Sequence, residues 1–327
     1  MPTLDPATPP AVPAGYQPVP LAALDYRRDT AIDLFVLPAG KKAPILLRDS
    51  GLQLSDARTK RLLDGYEQQV LVRTGDFAAF SQAMLTEIDA LVADEAVPAH
   101  DRFALLQFAA ASEVEQAFER VDPGHAIDLA GGVSSSIVSL VSSAELSPDE
   151  LYNIARHDYH TFVHVTNVTC YATLLAEALG VNDQADLHEL AMGAFLHDIG
   201  KRQVPRDILR KPARLTDEER AVIQTHPQLG YEELAGRPEV TGRQLMMVYQ
   251  HHEWVDGGGY PVGVLADELH EWAQLLAVVD VFDAMTGQRP YRKPSAPDFV
   301  MSFLDERAGS QFNPEMVRCW TQLLAGT

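Results

Sequence analysis

From residue 77 onward the helix period dominates: apolar residues recur at i, i+3 and i+4, and this pattern leaves packed helices as the main building material. The segments "DFAAFSQAMLTEIDALVADEAV" and "HDRFALLQFAAASEVEQAFERV" carry it first. "GGVSSS" near 131–136 reads as a break. Segments 136–145, 148–157, 161–179, 186–199, 216–233, 239–253, 267–286, 296–306 and 313–325 then predict helices. Capping chemistry agrees. Ser147-Pro-Asp-Glu and Thr216-Asp-Glu-Glu open two of them, and Gly180 and Gly200 close two.

The first 20 residues hold seven prolines and predict a disordered or extended lead-in, assigned to 1–14. Residues 31–37, 43–48 and 68–73 predict strands, and Ser55 would cap a helix ending near Gly65. The expected class is therefore mainly α, with a small α+β module over 15–80, a helical connector over 81–144 and an all-helical domain over 145–327.

Nine of the 11 histidines lie after residue 156. His164, His197, His226 and the pair His251-His252 stand out, joined by Asp198 and Asp280. The gaps run 33 residues (164 to 197), 28 (198 to 226), 25 (226 to 251) and 28 (252 to 280), each about one helix plus one loop. A bundle can then bring one ligand group per helix to a common centre. Asp198 and Asp280 sit in apolar surroundings, where a lone carboxylate is costly and wants a metal or a basic neighbour. Neighbours on a helix point about 100° apart. His197-Asp198 thus suits two metals, with Asp198 bridging both, and the same logic has His251 and His252 serve adjacent ions. All donors are N or O, which favours Fe or Mn over Zn, Ni or Mg. His157, His188 and His270 are expected to be structural.

Composition limits the partners. The formal net charge is −20, which disfavours duplex nucleic acid and anionic membrane surfaces. An anionic substrate would need local cations. Cys170 and Cys319 are the only cysteines and are expected as buried free thiols, with no disulfide framework. No apolar segment precedes the first basic residue, Arg27, and no run of about 18 apolar residues exists, so neither a secretory signal nor a membrane span is expected and the default compartment is the cytoplasm.

"HTFVH", "HDIGK", "THPQLG", "HHEWVDGGGYP" and "VVDVFDAMTGQRPYR" together resemble the HD-GYP subgroup of the HD-domain metal-dependent phosphohydrolases, over about 180 residues from 145 to the C-terminus. The resemblance implies a helical HD-type bundle that holds two or three divalent ions and hydrolyses cyclic di-GMP to linear pGpG, and onward to GMP if both bonds are cut. It implies His164, His197, Asp198, His226, His251, His252 and Asp280 as metal ligands. Lys201 matches a phosphate-contacting lysine and Tyr260 a pocket wall. Arg289 and Arg292 match basic residues on the far part of the nucleotide, and Asp158 is a further ligand contact. Where related chains carry glutamate or tyrosine, this one has His160, which could bind a third metal, bind a substrate phosphate, or only pack.

The chemistry is consistent with that set. Two ions clamp a phosphodiester and lower the pKa of a bridging water, whose hydroxide attacks phosphorus while Lys201 stabilises the developing charge. Gly257, Gly258 and Gly259 allow a close backbone approach to a flat ligand, or a turn at positive φ. Rival readings are a cyclic di-GMP receptor with little turnover, signalling to a protein partner through the 15–80 module, and a phosphodiesterase for another cyclic dinucleotide. A homodimer is compatible with either.

Overall fold

The computed structural model describes residues 12–20, 23, 32–37, 41, 43–50, 69–119, 122–143, 163–209, 211, 213–287 and 294–325. The helices expected from Ser55 and Ser147 lie outside them, as do His157, Asp158, His160, Arg289 and Arg292. The chain divides into two compact units, Met1–Ser112 and Glu113–Thr327.

The first unit contains an antiparallel sheet of β1 (Tyr16–Val19), β2 (Leu34–Leu37), β3 (Ile45–Arg48) and β4 (Gln69–Arg73), in the order β1-β4-β2-β3. β1 falls inside the proline-rich stretch. Its Pro18 pairs with Leu71 from an edge position, where a missing N–H costs no ladder bond. Phe35, Leu37 and Leu71 are buried at the centre, with Tyr16 edge-on to Phe35 at 5.1 Å. Helix α1 (Thr74–Leu85) follows β4 directly, then α2 (Ile88–Val92) and α3 (Ala99–Glu119). Phe77 and Phe80 of α1 both meet Phe108 edge-on.

Among its described residues the second unit has helices and no strand. It runs through α4 (Gly124–Ser142), α5 (Val163–Ala178), α6 (Gln184–Leu196), a 3₁₀ helix (Ile199–Gln203), α7 (Arg206–Leu209) and α8 (Asp217–Ile223). It continues with α9 (His226–Leu234), α10 (Gly242–Gln250), α11 (Glu271–Thr286), α12 (Pro297–Glu306) and α13 (Pro314–Leu324). α5 is buried on nearly every face, the signature of a central helix, and packs against α4, α6, α11 and α13. Tyr171, Phe282 and Trp320 tie α5, α11 and α13 with ring centroids 5.1 to 5.6 Å apart. Such pairs contribute about 0.5–1.5 kcal/mol each beyond their buried area.

Three sequence expectations change. "GGVSSS" is no break: α4 runs straight through it, because the helix is packed into the unit and the hydroxyls find local acceptors. Ser135 Oγ donates to Gly131 O and Ser136 Oγ to Gly132 O, one turn back. The single helix expected over 216–233 is two, because Pro227 has no N–H to continue a helix and instead starts α9. Gly180 closes α5 at φ +95°, but Gly200 is not a cap. It lies inside the 3₁₀ helix and is needed for space, as described below.

α4 is also the one helix among the described residues long and apolar enough to cross a membrane; 61% of it is buried inside the protein. Cys170 is buried as expected, and burial pushes its thiol pKa up. Cys319 is only half-buried.

Candidate metal centre

The site is built from helix ends. His197 caps α6, His226 begins α9, His251 caps α10, and His164 lies in the first turn of α5. The last carbonyls of a helix have no intrahelical donor. Three of these imidazoles supply one. His197 Nδ1 donates to Ala194 O at 2.6 Å, His226 Nδ1 to Ile223 O at 2.8 Å and His251 Nδ1 to Val248 O at 2.9 Å. A carbonyl can only accept, so the proton sits on Nδ1 and each Nε2 is left with a lone pair.

Those lone pairs converge. His226 Nε2 lies 3.1 Å from His251 Nε2 and 3.2 Å from Asp198 Oδ1. With no proton on either partner these contacts repel. His197 Nε2 and Asp198 Oδ1 are buried without hydrogen-bond partners. Two donors about 2.1 Å from one ion and at right angles to each other lie about 3.0 Å apart, close to the spacing seen here. The donor set therefore fits divalent cations, and a cation removes the repulsion that the bare cluster carries.

The donors form two groups joined by Asp198. His226, His251 and His252 form one; His164, His197 and Asp280 form another. Within each group the ligand atoms lie within 4.8 Å of one another, and a third set, His197, Asp198 and His251, links the two. Asp198 Oδ1 faces His226 and, at 3.9 Å, His251. Its Oδ2 faces His197 at 3.5 Å, His164 at 3.8 Å and Lys201 Nζ at 2.5 Å. One carboxylate thus looks both ways. His251 and His252, expected to serve adjacent ions, both belong to the His226 group, and of the two only His251 also joins the His197–Asp198 set.

The electrostatics favour neutral imidazoles and ionised carboxylates. Burial pulls the pKa of His197 down, that of His251 well down and that of His252 to about 3. Asp198 and Asp280 are held well below the usual carboxylate range: burial opposes ionisation, but Lys201 and the histidines around Asp198, and His164 beside Asp280, outweigh it. His164 differs. Burial lowers its pKa, but bonds to Asp280 and Asp283 lift it to about 9. A proton there stands where a metal would.

Three contributors were not assigned from the sequence. Asp283 is buried, accepts from His164 Nδ1 at 2.6 Å and from Asn167 Nδ2 at 2.9 Å, and so orients His164 with Nε2 toward Asp280, 3.2 Å away. Such a carboxylate behind a ligating histidine fixes ring and tautomer. The sequence motifs do not single out Asp283. Its place three residues after Asp280, on the same helix face, was the available signal. Asn167 has the same relation to His164. Glu253 is the third.

Gly200 allows the 3₁₀ helix to approach α9. A Cβ there would stand 2.5 Å from Gly230 N and closer still to His226 O. Lys201 pairs with the bridging carboxylate rather than pointing away from it. Tyr260 stacks 4.8 Å from the His252 ring, and burial, then the fields of Asp280 and Asp198, push its hydroxyl pKa up, so it stays protonated. Gly257 takes φ +81°. Gly259, expected as a ligand contact, has an internal reason to be glycine: a Cβ would meet Glu253 Cα at 2.5 Å. His188 and His270 are structural, as expected. His188 Nε2 bonds Gly131 O, and His270 Nδ1 accepts from Trp272 N at the start of α11.

A family model for the HD domain matches residues 143–316, just over half of the chain. A cyclic di-GMP phosphodiesterase response regulator of Xanthomonas campestris is 33% identical over 195 residues, 58% of this chain and 50% of that protein. A cyclic di-GMP phosphodiesterase of Pseudomonas aeruginosa is 34% identical over 207 residues, 62% of this chain and 48% of that protein. A 3'3'-cGAMP-specific phosphodiesterase of Vibrio cholerae is 32% identical over 200 residues, 57% of this chain and 37% of that protein. The chain thus spans about half or less of these relatives' lengths. A solved structure of an HDG"Y"P protein from Bdellovibrio bacteriovorus superposes with a TM-score of 0.58 at 18% identity, covering 95% of this chain and all of that one, a likeness of fold.

Proposed function

The chain belongs to the HD domain family, and from that membership we propose that it is a metal-dependent phosphodiesterase that opens cyclic di-GMP to the linear dinucleotide pGpG. The observation that carries the reading is the two-faced carboxylate of Asp198, with a triad of unprotonated donors on one side and a second triad on the other. His226, His251 and His252 would hold one ion, His164, His197 and Asp280 the other, with Asp198 shared. Fe or Mn suits such N/O donors. His160, four residues before His164, is a candidate for a third ion. When bound, the ions supply Lewis-acid charge to the scissile phosphate and make water acidic enough to ionise near neutral pH.

The chain's own groups do the rest. His197, His226 and His251 are held as Nε2 donors by their helix-end carbonyls, so the cluster is preorganised and needs no rearrangement. Lys201 is 33% exposed at the edge of the cluster and adds fixed positive charge for a phosphate oxygen. Tyr260 presents an aromatic face and a protonated hydroxyl beside His252. Arg289 and Arg292 carry planar forks suited to phosphate or a guanine edge. Local cations matter because the whole-chain charge of −20 repels an anionic dinucleotide.

The named activities of relatives support the class of substrate; they include both cyclic di-GMP and 3'3'-cGAMP, so a mixed cyclic dinucleotide is the second reading. Protein purified without oxygen and loaded with Fe(II) or Mn(II) should convert cyclic di-GMP to the linear product. The His197→Ala, Asp198→Ala variant should retain its fold and lose turnover. Faster turnover of 3'3'-cGAMP would favour the second reading. Tight binding without product at full metal occupancy would replace the enzyme with a receptor.

A further inference from the structure

We propose that Glu253 is a positioning residue: its carboxylate fastens the glycine-rich loop onto the end of α10, so that Tyr260 is held as a wall of the pocket beside His252. The proposal deepens the phosphodiesterase reading and rests on it for the substrate.

Coming directly after two ligating histidines, a buried acid invites assignment as a third ligand or a general base. Its oxygens are committed elsewhere. Glu253 is 3% exposed. Oε1 accepts from Val262 N at 2.7 Å and Gly263 N at 3.0 Å, and Oε2 accepts from Gly263 N at 2.9 Å. An ionised carboxylate is the side chain that offers acceptors on both atoms. Glutamine would keep one acceptor and turn an NH₂ donor toward an N–H donor.

The loop is anchored on both sides of Tyr260-Pro261. Before it, Tyr260 N donates to His252 O at 3.1 Å and Gly257 N to Trp254 O at 2.9 Å. After it, Glu253 holds Val262 and Gly263. Between the two, Gly259 lies against the Glu253 backbone, with no room for a Cβ. The anchors that flank Tyr260-Pro261 directly therefore end on His252 and Glu253, the two residues that follow His251. His251 and His226 are fixed separately, through their bonds to Val248 O and Ile223 O. Loss of the Glu253 carboxylate strips two loop N–H groups of their partner and frees one side of the Tyr260 wall. It leaves those two donors where they are.

The test compares Glu253→Gln and Glu253→Ala with wild type in the full chain. Three quantities are read: metal content per chain, amide exchange of residues 259–265, and KM against kcat for cyclic di-GMP. Metal content should stay at the wild-type value. Exchange of the loop amides should quicken by about tenfold or more, because local opening no longer breaks charge-assisted bonds. KM should rise about tenfold with a smaller change in kcat, the pattern of lost positioning at the binding wall. Adding Tyr260→Phe to Glu253→Gln should cost less than the two single effects combined. Should the alanine variant fail to fold, glutamine, which keeps one acceptor, carries the test. Metal loss in Glu253→Gln would make the residue a ligand and end the proposal. So would unchanged loop exchange, or a fall in kcat at constant KM. A wild-type protein that ignores cyclic di-GMP would sink the substrate reading alone; the exchange data would still decide whether Glu253 is the clamp.

Discussion

Gly200→Ala places a single methyl group where two backbones already touch. The new Cβ would stand 2.5 Å from Gly230 N and closer still to His226 O, when ordinary contact begins at 3.4 Å, so the 3₁₀ helix and α9 must separate by at least about 0.9 Å. Both obstacles are main chain, with no rotamer to turn away. Overpacking of this kind costs about 3 kcal/mol, the upper part of its usual range. In a unit the size of residues 113–327, that lowers the melting temperature by about 6–12 °C. The same displacement acts on the site, because Asp198 immediately precedes the 3₁₀ helix and His226 begins α9. Their donors, 3.2 Å apart, would be drawn away from the spacing of adjacent donors on one ion, and a misplacement near 1 Å costs on the order of 100-fold in turnover. Differential scanning calorimetry with Mn(II) titration and a turnover assay reads all three effects. Gly132→Ala is the control: it is exposed on α4 with nothing within 4 Å of a Cβ, and should stabilise by up to about 1 kcal/mol. If Gly200→Ala melts with wild type and binds Mn(II) equally well, the tight approach of the 3₁₀ helix to α9 is not what sets the ligand geometry.

Further outcomes are expected. Asp283→Asn should weaken divalent-metal affinity by about 10- to 100-fold, measured by competition with a chelating dye, because His164 loses its orienting carboxylate; an unchanged affinity would reduce Asp283 to packing. Mn(II) at 100 times its dissociation constant should stabilise the second unit by about 2.7 kcal/mol, and a chelator should reverse the gain; a melt indifferent to metal would argue against a site in the folded bundle. Arg289→Ala should raise KM for cyclic di-GMP more than it lowers kcat, and an unchanged KM would remove it from the pocket.

The helical domain and its clustered histidines and aspartates are legible because both obey short-range rules. Apolar spacing marks a helix wherever the face is buried, and one donor per helix end leaves a regular gap. Legibility stopped where packing overrode local preference. Gly131, Gly132 and three serines look like a break, yet α4 passes through them because its burial and the back-bonded hydroxyls outweigh the propensity. Pro227 falls inside a helix by its spacing, yet it sits in the first turn of α9. Gly200 was read as a cap, and its role depends on α9, which is far away in sequence. Asp283 and Glu253 have the same character. Their partners are a histidine 119 positions earlier and two amides up to ten positions later, and no periodicity reports such pairs. Motifs name the clustered donors well. The groups that aim them need coordinates.

The most direct measurement is the metal content of the full chain, purified without oxygen, beside its Asp198→Ala variant, each determined by elemental analysis and confirmed by calorimetric titration with Mn(II). Donors gathered around a shared carboxylate should bind at least two ions per wild-type chain, and the variant should lose both or hold one weakly. A wild-type chain that binds one ion or none, or a variant that keeps the full complement, would contradict the shared centre.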